Sequence, residues 1–389
     1  MIKLTEMTVG QTNVPKYKLN NGREMPAIAL GTYLGHDKSG MVRSVNKQLR
    51  DVVMQAIDVG YRHFDTAEIY GTEEELGEGV RRKMEEGAVR REELFITDKL
   101  WNTHHKREQV VPSLRESLCK MGLSYIDLFL MHWPMGLHLR DWFPRERQEQ
   151  TLDGICTRVL VVREIFFTCT RNTDVLQQVL MALRFRLQTA ITSEDYTHSD
   201  VDFMETWLGL EDAVRLGLAR NIGVSNFNKQ QLERILREGS IRPAALQIEV
   251  HPQIIQTELV QLAQRHQLVV MGYSPFGSLV TRYGIKFPGP TIDDPTLVAI
   301  ARRHHKTTPQ VVLRWLVDRN VVPVTKTVNP SRLKENIDIF DFELSAREIE
   351  IINKFDEKTR YTLPSFWQTH AYYPFEKVDN PSADPFIKH

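Results

Sequence analysis

Four side chains able to pass a proton among themselves follow short apolar runs at near-equal intervals. Asp65 closes YRHF, Lys99 follows LFITD, His132 follows IDLFLM, and Tyr70 lies just beyond Asp65 in FDTAEIYG. A tyrosine hydroxyl ionises at about pH 10 in water. An ammonium beside it lowers that value, and a carboxylate holds the ammonium in place. Asp, Tyr, Lys and His on one surface therefore form a proton-transfer set. Singly, each has an ordinary explanation: His132 and Tyr70 as packing residues, Lys99 as a solvated strand end, Asp65 as a helix N-cap.

The elements that must position them follow from the apolar pattern. Short β-rich runs occur at Ala27–Gly31, Tyr61–Phe64, Leu94–Thr97 and Ile126–Met131, and again at Asn221–Val224, Leu246–Glu249, Leu268–Tyr273 and Val321–Val324. Between them lie segments with apolar residues at helical spacing. These are Val45–Val59, Arg107–Met121, Met204–Leu216, Lys229–Leu236, Thr257–His266, Asp294–His304 and Pro309–Asp318. Gly60, Gly122 and Gly217 stand where left-handed C-caps belong. Strands alternating with helices imply a parallel sheet, and eight such units predict a closed (β/α)8 barrel of the α/β class. The opening KYKLNNGREMP predicts a hairpin around Asn20-Asn21-Gly22 that plugs the barrel floor. Active sites of such barrels lie at the C-terminal ends of the strands. Asp65, Lys99 and His132 fall there, as do Ser225, Asn226, Gln247, Glu249, Tyr273, Ser274 and Lys326.

Composition excludes several classes. Lys+Arg and Asp+Glu number 50 each among 389 residues, so the net charge is zero, unlike a protein that lives on phosphate contacts with nucleic acid. An apolar content of 41% excludes a disordered chain. The 3 cysteines predict a reducing, cytoplasmic setting without a disulfide framework. No apolar run reaches the length of about 18 residues expected of a membrane span, and MIKLTEMTVG lacks the apolar core of a secretory signal. His104-His105 and His304-His305 lack a spaced carboxylate or Cys partner and are expected to be surface pairs, with no metal site.

Strand ends at Gly31, Asp65, Asp98 and Met131 are separated by 34, 33 and 33 residues, but the next, Val224, lies 93 further on. An insertion therefore occupies residues 138–200 of what is otherwise one domain over 1–389. Within it, Arg158–Thr170 is predicted to be extended and Thr173–Leu187 helical. Two readings stay open: a lid or oligomer contact, or an unselected insertion packed loosely.

Three longer segments make the pattern specific. GYRHFDTAEIYGTEEELG (Gly60–Gly77), ARNIGVSNFN (Ala219–Asn228) and VTKTVNPSRLKEN (Val324–Asn336) resemble the signature segments of the aldo-keto reductase superfamily, in the same order. The resemblance implies that Asp65, Tyr70, Lys99 and His132 are a catalytic tetrad. Tyr70 would give the proton to a carbonyl oxygen, Lys99 held by Asp65 would lower its pKa, and His132 would orient the carbonyl. It also implies a nicotinamide cofactor, met by Gly31, Thr32, Ser225, Asn226, Gln247, Tyr273, Ser274, Phe276 and Ser278. Lys326, Thr327 and Arg332 would meet a 2′-phosphate, and Glu335 and Asn336 the adenine, so NADPH is expected rather than NADH.

Tyr33, Trp133 and Phe366 would line the substrate pocket, with SFWQTHAYYPF (Ser365–Phe375) as wall or as simple surface cover. The substrate would be a small-molecule carbonyl, with hydrophobic, aromatic and steroid ketones and sugar aldehydes all open, and the protein a monomer. The alternative is a nicotinamide-binding protein used non-catalytically, as a redox sensor or structural protein. Tyr33 stands where many members of the superfamily carry Trp, and Val324-Thr325 where they often carry Ile-Pro.

Overall fold

The computed structural model describes residues 14–35, 48–139, 196–280 and 288–381. The chain divides into two compact units. The first comprises Met1–Leu34, Ser44–His138 and His198–His389. The second, Gly35–Arg43 and Leu139–Thr197, falls largely outside the described residues, as do the extended run and helix expected in the insertion and Cys156 and Cys169.

The first unit is built on a closed parallel barrel of eight strands among the described residues. They are β3 (Ala29–Gly31), β4 (His63–Asp65), β5 (Phe95–Leu100), β6 (Leu128–Met131), β9 (Ile222–Ser225), β10 (Ala245–Glu249), β11 (Val269–Tyr273) and β12 (Val321–Thr325). The ring closes through β12 against β3. All eight coincide with the expected runs to within a few residues. Their residues are buried almost throughout because helices cover the outside and side chains fill the inside, the usual state of a parallel sheet. Before the barrel, β1 (Lys16–Lys18) and β2 (Glu24–Pro26) form the expected antiparallel hairpin, with Gly22 at φ +85° in its turn. Its loop donates from Asn20 to the Pro243 carbonyl at 2.9 Å and from Asn21 to Asn221 at 2.7 Å. Those partners precede β10 and β9, so the hairpin sits under the N-terminal ends of the strands. Two short strands, β7 (Leu137–Leu139) and β8 (Tyr196–His198), form a separate two-stranded sheet.

The helices form where the apolar stripes predicted, and their ends have local causes. In α1 (Gln48–Asp58), Leu49, Val52, Val53, Ala56 and Ile57 are buried. The α3 helix (Arg107–Met121) stops at Gly122, whose left-handed φ of 63° lets its amide reach back to Cys119. Helix α4 (Phe203–Arg215) starts where the Asp202 carboxylate accepts from the Met204 amide. Four more follow among the described residues: α5 (Lys229–Glu238), α6 (Thr257–Arg265), α7 (Pro295–Arg303) and α8 (Thr308–Asp318). A short helix, α9 (Pro330–Ile337), follows β12 and is capped by the Asn329 side chain, which accepts from the Ser331 amide. Two helices were not anticipated, α2 (Glu73–Glu85) and α10 (Ala346–Asn353). Both carry their start signals in polar residues, Glu73–Glu75 in α2 and the Ser345 cap in α10.

The histidine pairs depart from expectation. His105 is fully buried, and His104 and His304 lie within ion-pair distance of Glu68 (3.3 Å) and Glu348 (3.2 Å). The carboxylates are remote in sequence, which is why spacing did not reveal them. No helix among the described residues is long and apolar enough to cross a membrane.

The α2 and α3 helices pack through Gly77, where a Cβ would overlap the Met121 backbone. Gly77→Ala is expected to destabilise the barrel by ~1–3 kcal/mol, the range for overpacking. A urea midpoint equal to that of the parent chain would refute this close approach.

Candidate active site

Strand register brings the expected residues to one level. Gly31 pairs with Asp65, Asp65 with Thr97, Met131 with Val224 and Ser225 with Gln247. Side chains alternate along a strand, so His63 and Asp65 share the inward face of β4, and Thr97 and Lys99 that of β5. In the lower layer His63 Nε2 lies 2.9 Å from the Thr97 hydroxyl. Burial drives the pKa of His63 down to about 3, so this imidazole is neutral. In the upper layer Lys99, 1% exposed, donates from Nζ to Asp65 Oδ1 at 2.6 Å and to the Thr66 carbonyl at 2.8 Å. The second Asp65 oxygen accepts from Gln247 Nε2 across the barrel at 2.7 Å.

Tyr70 sits in a single 3-10 turn (Glu68–Tyr70) that Gly71 terminates at φ 61°. Its hydroxyl lies 3.4 Å from Lys99 Nζ, and its ring meets that of His132 edge-on at 5.7 Å between centroids. Burial raises the Tyr70 pKa, Lys99 pulls it down and Asp65 pushes it back up, so the hydroxyl ends above its usual value. The net lowering expected from Lys99 is thus outweighed. On Lys99 itself burial disfavours the charge, but Asp65 and Tyr70 reverse this and the ammonium is held above its usual range. His132 is driven well below its usual value by burial and then by Lys99, which keeps it neutral. Its Nδ1 is buried without a hydrogen-bond partner. The set at neutral pH is therefore one buried cation balanced by one carboxylate, beside a protonated phenol and a neutral imidazole.

Beside it lies an amide cluster. Asn226 adopts φ 61°, a left-handed conformation that asparagine tolerates better than most residues. Its Nδ2 donates to the His132 carbonyl at 2.9 Å and to Ser225 Oγ at 3.2 Å, and its Oδ1 accepts from the Tyr273 hydroxyl at 2.8 Å. Asn226 and Gln247 thus bond tetrad residues directly, and Ser225 and Tyr273 join them through Asn226. Three other expected contacts have committed side chains. The Thr32 hydroxyl is buried against Thr66 and Thr72, each at 2.9 Å. The Ser278 hydroxyl donates to the Pro290 carbonyl at 2.6 Å, and Glu335 accepts from the Thr307 hydroxyl at 2.7 Å.

Lys326 and Arg332 are exposed near the start of α9, and the Thr327 hydroxyl accepts from the Asn329 amide at 3.0 Å. Two accessible cations at a helix N-terminus fit a phosphate dianion, and a Tyr273 ring at the rim beside carboxamide partners fits a nicotinamide. Among the described residues no group of His, Cys, Asp or Glu is arranged to hold a metal ion.

Aromatic rings wall the rim. Tyr33 packs on Tyr70 at 5.0 Å, and Trp133 meets Trp367 at 6.5 Å and Phe375 at 5.6 Å. Phe366 packs only on Trp367 within this group, at 4.7 Å. Trp101, which the sequence reading passed over, lies 5.4 Å from His132 and 6.2 Å from Trp367. Its signal was its place two residues after Lys99 at the same strand end. A groove of about 500 Å³ lined by Arg107, Asp212, Arg215 and Leu216 shares no residue with this set.

Residues 27–357 match the model of the Aldo/keto reductase family. The chain is 39% identical over 360 residues to aldo-keto reductase AKR2E4 of Bombyx mori, covering 92% of this chain and 98% of the relative. It is 36% identical to human aldo-keto reductase family 1 member A1 over 92% of this chain and 97% of that one. The crystal structure of the Bombyx mori AKR2E4 protein in complex with NADP superposes with a TM-score of 0.76 at 38% identity, covering 94% of this chain and 99% of that one.

The Lys99–Asp65 pair is buried enough to test by stability alone. Lys99→Met strands the Asp65 carboxylate, and urea unfolding is expected to show a loss of ~3–5 kcal/mol. Asp65→Asn combined with Lys99→Met should recover part of that loss. A single-variant effect within the ~0–1 kcal/mol of a surface pair would contradict the burial.

Proposed function

The chain belongs to the aldo/keto reductase family, and on that premise we propose that it is an NADPH-dependent oxidoreductase reducing an aldehyde or ketone to the alcohol. The observation that carries this reading is the buried Lys99–Asp65 pair with the Tyr70 hydroxyl at its edge. The bound nicotinamide supplies the hydride. Tyr70 gives its proton to the substrate oxygen as negative charge develops there. Lys99 stabilises the tyrosinate left behind, and Asp65 keeps Lys99 in place and charged. His132, neutral, orients the carbonyl.

Ser225, Asn226, Gln247 and Tyr273 would hold the nicotinamide end. Gly31, Thr32, Ser274, Phe276 and Ser278 would contact the rest of the cofactor, with Thr32 and Ser278 acting through backbone because their hydroxyls are committed. Lys326, Thr327 and Arg332 would take the 2′-phosphate, and Glu335 and Asn336 the adenine. The solved relative in complex with NADP supports this cofactor.

Tyr33, Trp133 and Phe366 would line the substrate pocket, and the packing of Trp101, Trp133 and Trp367 favours a hydrophobic, aromatic or steroid carbonyl. We read the chain as one catalytic barrel over 1–389 with residues 138–200 inserted, acting as a cytoplasmic monomer. Nothing favours the non-catalytic alternative, since both relatives described above carry the name reductase.

Loss of NADPH absorbance on adding an aromatic aldehyde tests the reaction. Tyr70→Phe should lower turnover by ~10²–10⁴-fold while leaving NADPH affinity intact. Wild-type-like turnover by this variant would remove Tyr70 as the acid. Because the reaction needs the protonated phenol and its pKa is raised, reduction should stay level through neutral pH and fall only on the alkaline side.

The phosphate clamp gives a separate outcome. Lys326→Ala and Arg332→Ala should each raise the KM for NADPH roughly tenfold, as expected for losing one charge-assisted hydrogen bond, and leave that for NADH unchanged. Equal effects on both nucleotides would place the 2′-phosphate elsewhere.

A further inference from the structure

Glu249 ends β10 and is fully buried, yet it has no part in the chemistry proposed above. A carboxylate there must be compensated by donors. Its Oε1 accepts from His251 Nε2 at 3.0 Å and from the Tyr361 amide at 2.9 Å, and its Oε2 accepts from the Thr362 amide at 3.0 Å. Burial alone would raise its pKa; His251, Arg360 and the Thr362 amide reverse this and hold the carboxyl below its usual range. On the other side of the ring, His251 Nδ1 accepts from the Gln253 amide at 3.3 Å. Two consecutive amides of the C-terminal segment, far away in sequence, are thus bound to one strand end.

The same node grips the segment that follows β11. Gly277 lies so close to the His251 ring that a Cβ there would overlap it. The Tyr361 ring stacks on His251 at 4.9 Å and 14° between planes. The Tyr361 hydroxyl reaches Gln253 Oε1 at 2.5 Å and the Pro288 carbonyl at 3.0 Å. Gln253 also accepts from the Ser278 amide at 3.2 Å and donates to the Pro288 carbonyl. Glu249 is moreover the register partner of Tyr273.

We propose that Glu249 is a positioning residue that clamps Tyr361 and Thr362 to the rim and, through His251, Tyr361 and Gln253, ties the C-terminal aromatic wall to the cofactor-contacting residues after β11. This rests on the reading of Ser274, Phe276 and Ser278 as cofactor contacts. Substrate wall and cofactor segment are then held as one body, and loosening either loosens both.

Glu249→Gln keeps the shape but leaves one acceptor oxygen for three donors and turns its own amide hydrogens toward them. In the full chain without nucleotide, hydrogen exchange is expected to quicken both in 361–375 and in 274–280 while the β4 and β5 amides stay protected. NADPH release, followed by stopped-flow fluorescence, is expected to quicken about fivefold, the equivalent of one net hydrogen bond. The KM for a bulky aromatic ketone should rise, with the single-turnover rate on a small aldehyde unchanged. Tyr361→Phe, which leaves every Glu249 bond in place, should likewise quicken exchange in 274–280 and NADPH release, and combining the two should add little to release. Faster exchange in 361–375 alone, with NADPH release unchanged, would overturn the clamp and leave Glu249 a simple anchor. Should Glu249→Gln fail to fold, unchanged exchange and release in Tyr361→Phe would overturn it equally. A wild type that never reduces carbonyls would sink the enzymatic reading, whereas the exchange data would still decide the clamp.

Discussion

A lysine ammonium lies in the middle of this barrel with almost no access to water, and most of the rim is arranged around that fact. Such a charge is tolerable only with a carboxylate in contact and further acceptors around it. Asp65 and the Thr66 carbonyl meet that need from β4 and the residue that follows it. The remaining Asp65 oxygen then requires a donor, which Gln247 supplies from the far side of the barrel. The pair therefore fixes the relative height of β4, β5 and β10. A one-residue slip in any of them would turn its partner outward. The layer beneath follows the same logic, because a charged His63 below Lys99 would add a second cation, and burial keeps it neutral.

The opposite end of the rim is fixed by a second buried carboxylate with a different task. The compensation of Glu249 comes from backbone amides and one imidazole. Amide donors belong to the chain path rather than to a side chain, so satisfying Glu249 dictates where the C-terminal segment runs. That path carries Trp367 and Phe375 onto Trp133. The aromatic wall is thus a consequence of where a carboxylate was buried as much as of aromatic packing itself.

Legibility in the sequence followed how local each signal was. The eight barrel strands were readable because strands buried on both faces are rich in apolar residues, even where His63, Gln247 or Glu249 interrupts the run, and the near-equal spacing of Asp65, Asp98 and Met131 reflects one strand and one helix per step. Helices with apolar stripes were equally plain. The α2 and α10 helices were missed because their signals are polar: Glu73–Glu75 in the first turn of α2, and the Ser345–Glu348 capping box of α10. The tetrad residues were readable individually, and their convergence followed from the barrel. Beyond the Lys99–Asp65 pair, which the family resemblance implied, pairings across long separations could not be read: Gln247 with Asp65, His104 with Glu68, or the Thr32 hydroxyl with Thr66 and Thr72. The balance on Tyr70 was illegible for the same reason. Its sign depends on how much water burial removes, which no spacing of Lys and Asp reveals.

That balance also divides the electrostatic labour of the proposed reaction. Had Lys99 pulled the Tyr70 pKa below neutral, the resting site would hold a tyrosinate and could not act as an acid. Burial keeps the proton on, and Lys99 acts mainly on the state after the proton has left. The developing oxyanion then meets a neutral phenol and a neutral imidazole first, with the ammonium one hydrogen bond behind them. A cation placed directly at the substrate oxygen would bind anions in the resting state. Set behind Tyr70, its charge is expressed where the phenol loses its proton, which is differential stabilisation of the transition state over the ground state.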